Sequence, residues 1–356
     1  MSPVFPADTV TVDDVAARFD AIPPRVRRLP WLGSTARYIG AWNHAIPWPH
    51  YTSQVDNTLG LGEHFQGVQR IGRHLIVSGG ITRRRHRSQL ILIRMGSRNP
   101  EGPWTVPEYG EDYREPFLQD RLIDAVDIDA VRWHAGGIQA WADIVAVPVY
   151  GDQDEALGSE VRYLRFDADA ETFDPVSTLS RPHAHANAVA LAAVDDDVLI
   201  TAVWDDRNLE FHRSTSVDPL TFDERFARVE ARDIGAGFAA GLDDPNAGTY
   251  QAINFIRATD GRMFLLATRN TKKTSPTVGG RDFADLYRVD WPGGLDAPPT
   301  VTFLRSRQFY CYNQQCNFGA GAGIYVEAPD RMWLYAVPHW LHGGNERFNF
   351  NEYAPE

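Results

Sequence analysis

Histidine is scarce in this chain, 11 of 356 residues, yet it heads three short segments of the same layout: His64–Val68 (HFQGV), His134–Ile138 (HAGGI) and His185–Val189 (HANAV). Three neutral imidazoles brought to one point form a donor set for a borderline divalent metal such as zinc, copper or iron. His183, two residues before His185, lies on the same side of an extended strand and offers a fourth ligand. A catalytic metal keeps one position open for water or substrate. There it polarises an oxygen or generates a nucleophile from water. In that chemistry His64, His134 and His185 are catalytic and metal-holding, and the amides of Gln66, Asn187 and Gln251 orient the substrate. Hydrolysis, elimination and oxidation are all open to such a site, so a hydrolase, lyase or oxidoreductase is expected. Two other uses of the same residues stand beside this one. The imidazoles can contact a ligand directly without metal, as a lectin does, or hydrogen-bond one another and water as an axial plug.

Other residues gather in the segments leading into these units. Trp42, Trp48, Tyr51, Trp133, Tyr250, Phe309, Tyr310, Tyr312 and Phe318 supply flat rings that stack on sugars or aromatic ligands. The stretch 309–317 (FYCYNQQCN) is polar and aromatic, so Tyr310, Tyr312 and Asn317, with Trp133 and Tyr250, are the expected substrate-binding residues. His339 joins them if the second strand of the last unit returns to the same end of the sheet. The carboxylates Asp56, Glu63, Glu115, Asp243 and Asp244 could provide an acid pair for glycoside cleavage or a calcium site. Acidic loop residues are ordinary in a chain of net charge −12, so no pair among them stands out. The two cysteines, Cys311 and Cys316, are too few for a disulfide framework and lack the second pair of a zinc site. Although close enough to be bridged, they are expected as two buried or unpaired thiols. Gly-rich phosphate loops, GxSxG elbows and HExxH helices are absent.

Residues so far apart in sequence meet only if a repeated element carries each to a common centre. Five units begin at 64, 134, 185, 249 and 319, each leading through Gly or Ala (67, 137, 188, 252, 322) into an apolar run, a turn and a second apolar run. Internal repetition of this kind decides fold class ahead of local propensity. A third, alternating run follows in every unit, as in 161–166 (VRYLRF) and 285–290 (DLYRVD). Period-two alternation marks a half-buried strand. Fourth runs appear at 225–230 (RFARVE) and 300–304 (TVTFL). Four strands per unit and five units describe an all-β, five-bladed β-propeller of four-stranded antiparallel blades around a central channel. The small residue shared by all units suits inner strands crowded at the axis. The last unit runs short, so the ring is expected to close with an N-terminal strand near 34–42. Residues 1–33 form an extension with one short helix, N-capped at Thr11, and 34–356 the propeller domain.

The balance of 47 acidic to 35 basic residues argues against a nucleic-acid partner, whose affinity comes from phosphate contacts. The basic run Arg83–Arg87 reads as a solvated hairpin tip. No stretch approaches the 18 apolar residues of a membrane span, and no signal peptide is visible, so a soluble, cytoplasmic protein is the default. Its expected partner is a small molecule or carbohydrate. Over residues 34–353 the five-unit pattern resembles the five-bladed group that includes furanosidase-type glycoside hydrolases and propeller lectins. That resemblance implies a sugar-directed site. Three carboxylates from different blades act in the glycosidases, whereas histidines hold the central positions here.

Overall fold

The computed structural model describes residues 10–24, 27–28, 38–39, 41–47, 63–81, 87–95, 121–151, 157–182, 184–195, 198–222, 225–244, 246–271, 280–311, 316–339, 347–353 and 355. Only the backbone is described for 27–28, 38–39, 41–47, 63–64, 81, 121–122 and 347–349. Within those bounds the chain forms five antiparallel sheets in a ring. Blade 1 comprises, from the axis outward, Glu63–Ile71, His74–Ile81, Arg87–Arg94 and Arg121–Asp129. In blade 2 the inner strand is split into His134–Ala135 and Gln139–Trp141, followed by Ile144–Tyr150, Ser159–Asp167 and Thr172–Arg181. Blade 3 has Ala188–Asp195, Val198–Trp204 and Asn208–Val217, with Leu220–Phe222 and Ala227–Glu230 sharing the outer position. Blade 4 has Tyr250–Arg257, Met263–Asn270, Asp282–Asp290 and Thr300–Phe309. Blade 5 has Gly321–Ala328, Arg331–Val337 and Arg347–Tyr353, and Ala41–Pro47 pairs with this last strand from Tyr353↔Ala41 to Arg347↔Pro47. The pairing segment lies further along the chain than 34–42, because Tyr38–Ile39 pairs with Arg27–Arg28 in a separate two-stranded ribbon.

Burial explains the two kinds of sequence pattern. Second strands are covered by neighbouring blades on both faces, so Ile144–Tyr150 is buried at every position and is apolar throughout. The outer strand Thr172–Arg181 lies at a sheet edge and is mostly polar. Apolar side chains between blades 2, 3 and 4 make one continuous core centred on Leu191, Val203, Ile253 and Leu265. Between the inner strands there is room for a methyl at most, and at the two shared glycines for none. A methyl on Gly137 would lie 2.2 Å from the Gln251 carbonyl oxygen, and one on Gly67 would lie 2.6 Å from the Ile138 amide nitrogen. The small residue shared by the units is therefore steric in origin.

Helices are few. The N-terminal helix Val15–Ala21 is capped by Asp14, whose Oδ1 accepts from the Ala17 N–H at 3.2 Å, rather than by Thr11. Val12 instead lies in an extended bridge with Ala258, which holds that stretch out of the helix. Val15 and Phe19 pack on Ile256 and Ile324, across blades 4 and 5. Two further short helices, Ala231–Ile234 and Ala236–Asp243, join blade 3 to blade 4. Cys311 and Cys316 are bridged, with Cα atoms 5.3 Å apart, which corrects the expectation of unpaired thiols. Arg83–His86 of the basic run lie outside the described residues.

Candidate active site at the axial mouth

In an antiparallel blade the inner strand starts where the second strand ends and the third begins, so these junctions from all blades share one face. His134 opens the inner strand of blade 2 and Tyr150 closes the second strand directly opposite it. Their rings lie 4.3 Å apart, and Tyr150 meets His185 edge-on at 5.6 Å. Trp133 stacks on His134 at 5.1 Å with an interplanar angle of 13°. His339, just past the second strand of blade 5, adds a third imidazole. Burial is the main reason that His134 is pushed down to about 3, and the nearby His339 and His185 push in the same direction. Burial alone takes His339 down to about 4. Both rings are thus neutral at pH 7, each offering a lone pair and an N–H to a ligand.

Beyond His185 the site continues into blades 3 and 4. Asp206 follows the second strand of blade 3, where burial raises its carboxyl above the ordinary value. Thr249 and Asn187 oppose that shift as hydrogen-bond donors, and His185 opposes it by charge, while Asp205 adds to it. Gln251 donates to the Thr249 hydroxyl at 3.2 Å. A buried guanidinium supports the His185 segment from beneath. Arg181 donates to the His185 carbonyl oxygen, to Ser159 Oγ at 3.2 Å and to Glu210 Oε2 at 2.7 Å. Glu210 also accepts from Arg225 at 2.6 Å.

Deeper along the axis, two side-chain amides bridge the inner strands. The Gln139 side chain donates to the Phe255 carbonyl at 2.8 Å and accepts from the amides of Leu191 and Phe255 at 2.8 and 2.7 Å. Asn254 links the Ile138 carbonyl to the Ile324 amide, at 3.2 Å each way. Blades 2, 3, 4 and 5 are tied together by these two amides, which form a floor beneath the histidines.

Of the residues anticipated from sequence, His134, His185 and His339 meet at the mouth, with Trp133, Asn187 and Gln251 alongside. Gln66 is buried at a register shift between Phe65 and Gly67, and Gln251 sits at the matching shift of blade 4. The His64 side chain, His183 and Tyr312 lie outside the described residues. Tyr250 is a correction. It is fully buried, its hydroxyl donates to Asp285 at 2.5 Å and meets Tyr287 at 2.7 Å, so it packs inside blade 4. Tyr310 is 40% exposed with its amide bonded to the Pro24 carbonyl. Asn317 builds the turn ahead of blade 5, its Oδ1 accepting from the Gly319 amide at 2.8 Å. Phe309 and Phe318 are buried against Tyr353. Asp243 and Asp244 lie at the exposed C-terminal end of a helix, whereas Asp56, Glu115 and the Glu63 side chain are outside the described residues. Tyr150 and Asp206 were missed. Both sit where a second strand ends, and that shared position was the available signal.

Among the described residues no group of three or more His, Cys, Asp or Glu side chains is arranged to hold a metal ion. Also among them, no helix is long and apolar enough to cross a membrane. Fold and site together define a five-bladed β-propeller with an imidazole-lined axial mouth. No family model matches the sequence, and no curated protein matches it. Among solved structures, the chain path is similar to an exo-β-1,3-galactanase from Phanerochaete chrysosporium, at 8% identity and TM-score 0.45, covering 89% of this chain and 64% of that one. The chain thus spans just under two-thirds of that galactanase. An α-L-arabinanase from Penicillium chrysogenum is similar at 9% identity and TM-score 0.42, covering 87% of this chain and 97% of that one. An α-L-arabinofuranosidase from Fusarium graminearum follows at 9% identity and TM-score 0.40, covering 88% and 97%.

Proposed function

We propose that the axial mouth is the active site of an enzyme acting on an uncharged small molecule or glycan, with His134, His185 and His339 as its working imidazoles. The observation that carries this reading is the approach of three histidines from separate blades, two of them held neutral by burial, above a floor of hydrogen-bonded amides. A neutral imidazole offers a ligand hydroxyl both a lone pair and an N–H, so the set positions and polarises an uncharged ligand, with hydrolysis or elimination as the reaction proposed there. Trp133 and Tyr150 offer ring faces for a sugar or other flat ligand. Asn187, Gln251 and Thr249 offer neutral hydrogen-bonding groups, suited to a ligand without charge.

A divalent metal is the other use of the same rings, since a metal ligand must be neutral imidazole. Its ligands would be His134 and His185 with His64 and His183.

Elemental analysis of the purified protein, together with a turnover screen on uncharged aryl glycosides, esters and sugar lactones, tests both uses. Turnover that falls at least 100-fold in His134→Ala and His185→Ala supports an imidazole active site. Stoichiometric zinc, copper or iron that is lost in the same variants would assign the rings to metal. Binding without turnover would make the mouth a lectin-like site, and variants equal to the wild type would end the proposal.

A further inference from the structure

We propose that Asp206 is the ligand-contacting carboxylate of the axial mouth, accepting a hydrogen bond from a hydroxyl or amide N–H of an uncharged ligand; the assignment rests on the reading of the mouth as a binding site. Asp206 stands between the second and third strands of blade 3, beside His185 and flanked by Asn187 and Thr249. Three observations separate it from an ordinary turn residue.

The first is its backbone. Its φ is 74°, in the left-handed region, and among the described residues only four other non-glycine positions have positive φ: Asp14, Ala142, Glu171 and Ala236. Aspartate tolerates this region better than most side chains, yet glycine would fit it without strain. The second is the division of labour with its neighbour. Asp205 makes the turn: its Oδ1 accepts from the amides of Arg207 and Asn208 at 2.9 and 2.6 Å, and its carboxylate also takes the Asn208 side-chain amide at 3.2 Å. The turn does not need the second carboxylate. The third is the carboxylate itself. Asp206 Oδ1 is enclosed by protein with no hydrogen-bond partner of its own, while Thr249 and Asn187 act on the carboxylate as donors. The charge of the adjacent Asp205 raises its carboxyl further, and the charge opposing that is the imidazole of His185.

An unpartnered buried carboxylate oxygen on a strained backbone costs stability twice over, and such costs concentrate where a ligand completes the hydrogen bonding. A neutral donor fits better than a cation. The neighbours on the mouth side are imidazoles and uncharged amide or hydroxyl groups, which suit a polyol or an amide-bearing ligand.

The test compares Asp206→Gly, which removes both the carboxylate and the strain, with Asp206→Asn, which keeps one acceptor oxygen. Thermal melts are recorded, and binding is measured on an array of uncharged oligosaccharides and their uronic-acid counterparts, with calorimetry on the strongest neutral binder. Asp206→Gly is expected to melt at or above the wild-type temperature while binding about 10- to 100-fold more weakly, as befits the loss of a charged hydrogen bond. Asp206→Asn should fall between. A drop of 5 °C or more in Asp206→Gly would show the carboxylate to be structural and overturn the proposal. Unchanged binding in Asp206→Gly, with binding lost in His134→Ala, would overturn it while leaving the site where it is. A wild type that binds nothing on the array would sink the site reading and this assignment together.

Discussion

Replacing His134 by Gln should flatten the dependence of folding stability on pH below neutrality. In the unfolded chain the ring titrates near its ordinary 6.5, whereas in the folded protein it is held down at about 3. Below pH 6.5 the unfolded state therefore binds a proton that the folded state refuses. The stability contributed by the neutral ring is complete above 6.5 and is lost progressively as pH falls towards 3. Each unit of pH in that window removes about 1.4 kcal/mol. At pH 5 the loss from this one group is about 2 kcal/mol. His339, held at about 4, acts with the same sign. Asp282 acts with the opposite sign: burial raises it from 3.8 to about 6, so between those values the folded state takes up a proton ahead of the unfolded one. The wild-type curve is the sum of these effects, and only the difference from His134→Gln isolates the one ring. A chain of 356 residues unfolds with an entropy of roughly 0.7 kcal/mol/K, so about 2 kcal/mol corresponds to about 3 °C in melting temperature. Denaturant unfolding and thermal melts at pH 7 and pH 5, with a chelator present, measure it. The wild type should lose about 2 kcal/mol more than the variant between the two conditions. Parallel pH profiles would mean that the ring is hydrated and freely titrating, and the neutral-imidazole mouth would be refuted.

Three further outcomes follow from the supports of the site. Gly137→Ala drives a methyl into the Gln251 carbonyl and should cost about 3 kcal/mol, read as a lower urea midpoint; an unchanged midpoint would mean that the inner strands are further apart than described. Gln139→Leu strands the amides of Leu191 and Phe255 and the Phe255 carbonyl on the axis, for a loss of about 4 kcal/mol, with faster hydrogen exchange at those two amides. Arg181→Met leaves Glu210 buried with only the half-exposed Arg225, and should cost about 3 to 5 kcal/mol, part of which Glu210→Gln in the same chain restores.

The five-unit architecture was legible because inner-strand crowding imposes a small residue at 67, 137, 188, 252 and 322, whatever else diverges. Once the ring is known, the meeting of His134 and His185 follows from their equivalent positions, and His339 from the antiparallel return of its strand. Other residues were hidden by local geometry. Tyr250 was expected at the mouth because it neighbours Thr249 and Gln251, but successive residues of a strand face opposite sides, so it turns into the blade. Asp206 carries no signal in composition or periodicity, since adjacent aspartates in a turn look alike. Only coordinates show that Asp205 closes the turn and Asp206 does not. The Cys311–Cys316 bridge was undetermined for a similar reason: a separation of five residues permits a disulfide, and the path of the loop between decides whether the two Cα atoms come as close as 5.3 Å.

The most direct test of the imidazole mouth is a crystal structure of the protein soaked with the strongest neutral binder from the oligosaccharide array. Ligand density against His134, Tyr150 and His185, above the Gln139 floor, is the expected result. Density confined to the outer strands or to a cleft between blades, with the three imidazoles untouched, would contradict it.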